Sequence, residues 1–128
     1  MSTTTSVSGI TFGDGTTQNT ATYAAASNWS NSQAASGYQK LPSGLYIQWG
    51  NFATGSVGAT GAAFGTLTFP NAFPTACFNV IFNPSRSTNA FVYMGSYGAP
   101  TATTCSWFIN NASGSSQSPN AHWLAIGN

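Results

Sequence analysis

Six short stretches of the chain alternate apolar with polar residues, and clusters of Gly, Pro, Asn and Ser separate them. The stretches run from Leu45 to Trp49, Phe64 to Phe69, Ala76 to Asn83, Phe91 to Tyr97, Thr103 to Ile109 and His122 to Ile126. A period of two is typical of strands, and nothing after residue 30 has a helical period. The pattern predicts an all-β fold, a small antiparallel β-sandwich or barrel-like domain.

The alternation also predicts which side chains share a face of a strand. In the third stretch we expect Phe78, Val80 and Phe82 on one face, opposite Cys77, Asn79 and Ile81. In the fifth stretch Cys105, Trp107 and Ile109 should share a face. Core or intersubunit positions are predicted for the large aromatics Trp49, Phe78, Phe82, Trp107 and Trp123.

The first 40 residues differ in composition, being rich in Thr, Ser, Asn and Ala with few large apolar side chains. Asp14-Gly15 is a strong turn signal, and residues 21–27 could form a short helix. This segment cannot build a core alone, so it is either a flexible arm or packs against copies of itself. We therefore divide the chain near residue 40, into residues 1–40 and the β domain of residues 41–128.

Charge is almost absent: 2% of the residues are charged, against about 25% in an average globular protein. The charged side chains are Asp14, Lys40 and Arg86. With a formal charge of +1 the chain lacks the cations that dominate affinity for phosphates, which argues against nucleic-acid binding.

No apolar run approaches the roughly 20 residues that span a bilayer, and the N-terminus lacks a secretory signal. We expect a soluble protein.

The same composition argues against catalysis. General acid–base chemistry needs at least two tuned groups, and Asp14 is the chain's one carboxylate side chain. We therefore predict that the protein is not an enzyme and takes no cofactor. His122 is a weak metal candidate, and a neutral strand histidine is the favoured interpretation. Cys77 and Cys105 are expected to be buried free thiols in a reducing cytosol.

Four segments resemble known motifs, in order along the chain. They are GITFGDGTTQNTA at residues 9–21, GYQKLPSGLYIQWG at 37–50, TFPNAFPTAC at 68–77 and HWLAIGN at 122–128. Together they resemble the C-terminal receptor-binding domain of tailed-bacteriophage tail fibres.

This resemblance implies a parallel homotrimer at the tip of a virion tail fibre, assembled in the cytoplasm of the bacterial host. Residues 1–40 would be its shaft or neck and trimerisation segment, and three copies of His122 could meet on the trimer axis. Its implied partners are its own copies, the rest of the fibre, and a bacterial surface glycan (lipopolysaccharide or capsule) or outer-membrane protein. The alternatives are a structural trimerisation cap without receptor binding and the fibre of a phage-derived contractile bacteriocin.

Saccharide binding requires aromatic faces and neutral hydrogen-bonding groups, which three loop regions near residues 83–89, 93–99 and 110–120 supply. Tyr97 lies in a Gly-rich turn and should be exposed, and Arg86 could pair with an anionic glycan group. A solvated loop cation is the equally favoured interpretation of Arg86. The receptor-binding candidates are Arg86, Asn89, Tyr93, Tyr97, Asn110, Asn111 and Asn120.

Overall fold

The computed structural model describes residues 10–15, 17–18, 29–86 and 90–128, and these contain strands but no helix. The strands are β1 (Ile10–Thr11), β2 (Thr17–Gln18), β3 (Asn31–Ser32), β4 (Gly37–Lys40), β5 (Tyr46–Ala53), β6 (Ala62–Thr68), β7 (Cys77–Ser85), β8 (Val92–Ser96), β9 (Thr104–Asn111) and β10 (Asn120–Gly127). All six predicted strands are confirmed as β5 to β10. The helix predicted for residues 21–27 lies outside the described residues.

The strands β3 to β10 form two antiparallel sheets. A five-stranded sheet has the order β3-β4-β5-β10-β7, and a three-stranded sheet has the order β6-β9-β8; we call them the large and the small sheet. β1 and β2 form a separate hairpin, whose turn contains the predicted Asp14-Gly15. The predicted all-β sandwich is therefore confirmed.

The two sheets enclose one apolar core. Its buried members are Val57, Leu67, Phe69, Phe73, Cys77, Val80, Phe82, Ala90, Val92, Cys105, Trp107, Ile109, Trp123 and Ala125. Burial of each large side chain contributes about 1.5–3 kcal/mol, so this cluster is the main source of stability. The predicted shared face of Cys105, Trp107 and Ile109 is confirmed, since all three are buried.

Each sheet places a tryptophan over a glycine of the neighbouring strand inside the sandwich. Gly65 pairs with Trp107 in the small sheet, and Gly50 pairs with Trp123 in the large sheet. A Cβ atom at Gly65 would lie 2.4 Å from Trp107 Cζ2, and one at Gly50 would lie 2.8 Å from Trp123 Cζ2. Both glycines are therefore required for these indoles to lie against the sheet.

A β-bulge in β7 corrects the predicted face of Phe78. Ile126 pairs with Asn79 but Gly127 pairs with Cys77, so Phe78 is an extra residue on β7. An extra residue changes the phase of the alternation. Cys77 is consequently buried with Val80, whereas Phe78 is 59% exposed and outside the core.

Residues before the predicted domain boundary contribute to the large sheet. β4 pairs with β5 from Gly37–Trp49 to Lys40–Tyr46, and β3 extends the sheet by pairing with β4. The boundary at residue 40 stays a prediction, as does the assignment of the first segment as a shaft. The described part of the chain contains no helix long and apolar enough to cross a membrane.

Candidate functional site

The outer face of the large sheet carries a continuous set of apolar side chains. The pairing register aligns Trp49, Leu124 and Ile81 in one row across β5, β10 and β7, and Ile47 and Ile126 in the next row. We call these five residues the apolar face. Ile81 is 58% and Leu124 40% exposed, and a shallow hollow of about 200 Å³ lies beside them. Single exposed apolar side chains are common, but here they are adjacent in one row.

The outer face of the small sheet carries aromatic side chains instead. Tyr93 lies edge-on to Phe108 with ring centroids 6.5 Å apart, and Phe64 lies edge-on to Tyr97 at 5.9 Å. Phe64 and Phe108 are register partners on β6 and β9, so the two pairs are adjacent. We call these four residues the aromatic strip. Phe64 and Tyr97 are 66% and 63% exposed, as predicted for Tyr97.

Hydroxyl and amide groups flank the aromatic strip. Thr66 and Ser106 are register partners in the row beyond Phe64 and Phe108, and Asn110 pairs with Tyr93 at the opposite end. The side chains of Thr66, Ser106 and Asn110 are all uncharged. The strip therefore offers ring faces together with uncharged hydrogen-bonding groups.

A cleft of about 280 Å³ opens at the Tyr93 end of the aromatic strip. It lies where β6 and β8 begin and β9 ends. Its lining residues are Thr60, Gly61, Tyr93, Asn110, Asn111 and Ala112. Three of the seven predicted receptor-binding residues, Tyr93, Asn110 and Asn111, are thus brought together.

The Asn111 side chain is 1% exposed and joins the loop that precedes β6 to the loop that follows β9. Both loops lie beside the cleft. Its Nδ2 donates to the carbonyl oxygens of Val57 at 3.1 Å, Gly58 at 3.0 Å and Ser115 at 2.8 Å. Its Oδ1 accepts from the Ser113 amide at 3.0 Å and from the Ser113 hydroxyl. A buried amide with all its groups paired ties the two loops together, so one wall of the cleft is held by internal hydrogen bonds.

Thr60 adopts a left-handed backbone conformation, with φ 53°. This region costs a β-branched residue on the order of 1–3 kcal/mol. The Thr60 amide donates to the Ser113 carbonyl at 3.0 Å and its hydroxyl donates to the Ala59 carbonyl at 2.7 Å. These contacts hold the threonine in place at the edge of the cleft.

The remaining predicted site residues lie elsewhere. Arg86 Nη1 donates to the Ala90 carbonyl, which ties the guanidinium to its own loop. Tyr97 is at the far end of the aromatic strip, and Asn120 begins β10 on the large sheet. Asn89 lies outside the described residues.

Sequence reasoning missed Phe64, Phe108 and Thr60. The strand alternation could have identified the two phenylalanines. Phe64 lies on the opposite face of its strand from the buried Leu67, and Phe108 lies on the opposite face from the buried Trp107. Thr60 has no such signal, since its conformation depends on the partner loop.

His122 lies on the outer face of the large sheet, whereas the two thiols are buried in the core. His122 is exposed on the large sheet, in register with Asn51 and Asn83. The described residues contain no group of three or more potential metal ligands. Cys77 and Cys105 are free and buried, as predicted, and burial raises the pKa of both thiols.

The fold is similar to solved tail fibres. An N-truncated R1-type pyocin tail fiber superposes with a TM-score of 0.69 at 27% identity, over 78% of this chain and 85% of that chain. A longer R1 pyocin fiber fragment of P. aeruginosa gives a TM-score of 0.69 at 27% identity, over 78% and 28% of the two chains. The corresponding R2 pyocin fiber fragment gives 0.57 at 28% identity, over 78% and 26%.

No curated protein sequence matches this chain. The family model described as tail fiber protein gp53-like, C-terminal, matches residues 40–128, which is more than half of the chain. The resemblance found in the sequence motifs is thereby confirmed. The chain belongs to the gp53-like tail fiber family, whose C-terminal domain it contains.

Proposed function

We propose that this tail fibre domain is the tip of a fibre, a parallel homotrimer that adheres to a bacterial surface glycan without catalysis. The observation that carries the proposal is the aromatic strip with its neutral hydroxyl and amide border. Sugar rings present C–H-rich faces that pack on aromatic rings, while their hydroxyls pair with amides and hydroxyls. Sites of this kind combine apolar surface with a few placed polar groups.

The apolar face supports the homotrimer. An exposed contiguous apolar patch on a soluble protein marks an interaction surface. The hollow beside the face is shallow, so the face suits a protein better than a small ligand. Its central row, Trp49, Leu124 and Ile81, has no charge to select a charged partner. Three copies related by a cyclic axis would cover it and present three glycan sites together.

The alternative is a structural cap that trimerises a fibre and binds no receptor. The apolar face alone would be sufficient for such a cap. The similarity to pyocin fibers means that the fibre could be that of a phage-derived contractile bacteriocin as well as that of a phage. The aromatic strip distinguishes the two, because a cap has no use for exposed aromatic rings with a polar border.

The test is a cell-binding assay with the fluorescently labelled, intact chain. Bacterial strains would be compared with their capsule- and lipopolysaccharide-deficient mutants. We expect retention on glycan-bearing cells and a loss of about tenfold or more for Phe64→Ala/Tyr97→Ala, since each lost ring contact costs about 1 kcal/mol. Asn51→Ala, exposed on the large sheet, is the control and should bind normally.

Binding that is equal for the wild type and the double variant would contradict the role of the strip. A wild type that binds none of the glycan-bearing strains would support the structural cap. Breakdown of the purified glycan by the chain would contradict the proposal that it acts without catalysis.

A further inference from the structure

The cleft beside Tyr93 combines a ring face with hydrogen-bonding groups that have no partner within the part of the chain that the structure describes. Tyr93 is 57% exposed. Among the described residues, neither its hydroxyl nor the Asn110 side-chain amide has a hydrogen-bond partner. The neighbouring Asn111 amide, by contrast, is fully used within the protein. The cleft therefore has one fixed wall and two groups available for a ligand.

The charge around the cleft restricts the class of ligand. None of its lining residues is ionisable except Tyr93. Arg86, the cation nearest in sequence to β8, donates to the Ala90 carbonyl and is not among the lining residues. A phosphate or carboxylate would lose its hydration there without gaining a countercharge. A neutral polyol loses less, because an amide can donate to one hydroxyl and accept from another.

The conformation of Thr60 is a second, independent observation. Glycine adopts a positive φ without the steric cost that threonine has. Thr60 nevertheless lines the cleft, with its hydroxyl donating to the Ala59 carbonyl, and its side chain is lost if the residue is glycine. The strained threonine thus contributes a contact surface that the backbone geometry does not require.

We propose that this cleft is the primary subsite for one neutral sugar residue of a glycan chain. The sugar stacks on Tyr93, shares hydroxyls with the Asn110 amide and contacts Thr60, and the rest of the chain follows the aromatic strip. The volume of about 280 Å³ lies just below the roughly 300–1,000 Å³ of small-molecule sites, which suits a single ring rather than an enclosed oligosaccharide. The proposal rests on the glycan adhesion proposed above and names its site and ligand class.

The experiment uses immobilised oligosaccharides as probes: neutral glucans, rhamnans and N-acetylglucosamine oligomers, each beside an acidic counterpart, either a uronic acid or a phosphorylated form. We expect the intact chain to bind neutral probes, with an affinity that is the same at low and high salt. Tyr93→Ala and Asn110→Ala should each weaken binding by about tenfold, the loss expected for one stacking or polar contact. Arg86→Ala is the matched control and should bind as the wild type does.

Thr60→Gly separates a contact from a structural role. Relief of strain should leave the thermal midpoint equal to or above that of the wild type, while binding to the neutral probe weakens. Binding restricted to acidic probes, binding to no neutral probe, or unchanged binding by all three cleft variants would overturn the proposal. If those variants also remain on cells that retain the wild type, the adhesin survives and only this subsite is wrong.

Discussion

The outer faces of the two sheets follow the same strand alternation but carry different chemistry. The apolar face of the large sheet has branched aliphatic side chains around Trp49, whereas the aromatic strip of the small sheet has rings with polar neighbours. Aliphatic groups gain most when another protein surface removes them from water. Aromatic rings with adjacent hydroxyls can stay wet and still bind a ring-shaped ligand. Under the proposed function, one sandwich therefore uses one outer face for assembly and the other for recognition.

Both faces use a glycine opposite an aromatic residue. Gly37 pairs with Trp49 on the large sheet, and Gly95 pairs with Phe108 on the small one. A Cβ at either glycine would lie 3.0 Å from the ring of its partner. The missing side chain lets each ring lie across the neighbouring strand.

The largest effect is expected from a charge in the centre of the apolar face. In Leu124→Asp an unpaired carboxylate would be buried between copies, at a cost of about 3–5 kcal/mol. We expect light scattering to report a monomer with an unchanged β-sheet circular dichroism spectrum. Thr66→Asp on the small sheet is the control and should remain trimeric. If the Leu124→Asp variant remains trimeric, the copies associate through another surface. If this variant does not fold, the same measurement is made on Ile81→Asp.

A smaller effect is expected from removing either of two buried side-chain amides, Asn111 and Gln48. Comparing the two variants distinguishes a loss of stability from a loss of ligand binding. Asn111→Ala leaves loop carbonyls unpaired beside the cleft and should lower the free energy of unfolding by about 2–3 kcal/mol. Gln48 is equally buried, and its amide exchanges hydrogen bonds with the Asn71 backbone at 2.6 and 3.1 Å. Gln48→Ala should therefore destabilise comparably in urea titrations.

The two variants should differ in binding. Asn111→Ala should lose binding to neutral oligosaccharides, because the cleft walls loosen, while Gln48→Ala retains it at temperatures where both are folded. Equal loss in both variants would mean that recognition follows global stability rather than the local wall.

The smallest effect concerns the two thiols, which lie between the sheets and should influence neither face. Their folded-state pKa values are raised by burial above the ordinary value of 9.0. The unfolded chain therefore ionises first, so stability is constant below that value and falls as the pH rises through the folded-state values. Urea unfolding of the wild type should show this fall. Cys77→Ala/Cys105→Ala should show less of it, and an identical alkaline profile would assign the fall to other groups.

The strands of the sandwich were predictable because alternation is local, and the burial of Trp107 and Trp123 followed from it. The exposed position of Phe78 could not be predicted from the sequence, since the bulge arises from the pairing of Ile126 and Gly127 with β7. Sequence reasoning named Tyr93, Asn110 and Asn111 for their chemistry. Their assembly with Thr60 depends on a contact between two loops that are distant in sequence.

The position of β10 has a consequence for how the protein is made. β10 lies between β5 and β7, and Tyr46 pairs with Gly127, which the ribosome adds 81 residues later (127 − 46). Until then the inner edges of β5 and β7 are unpaired, and open strand edges invite pairing with other nascent chains. We expect folding to be slow and completed after synthesis of β10, as is usual for sheets built from distant strands. A cell producing many copies would then need to keep unfinished chains apart, so that association of copies begins only with complete sandwiches.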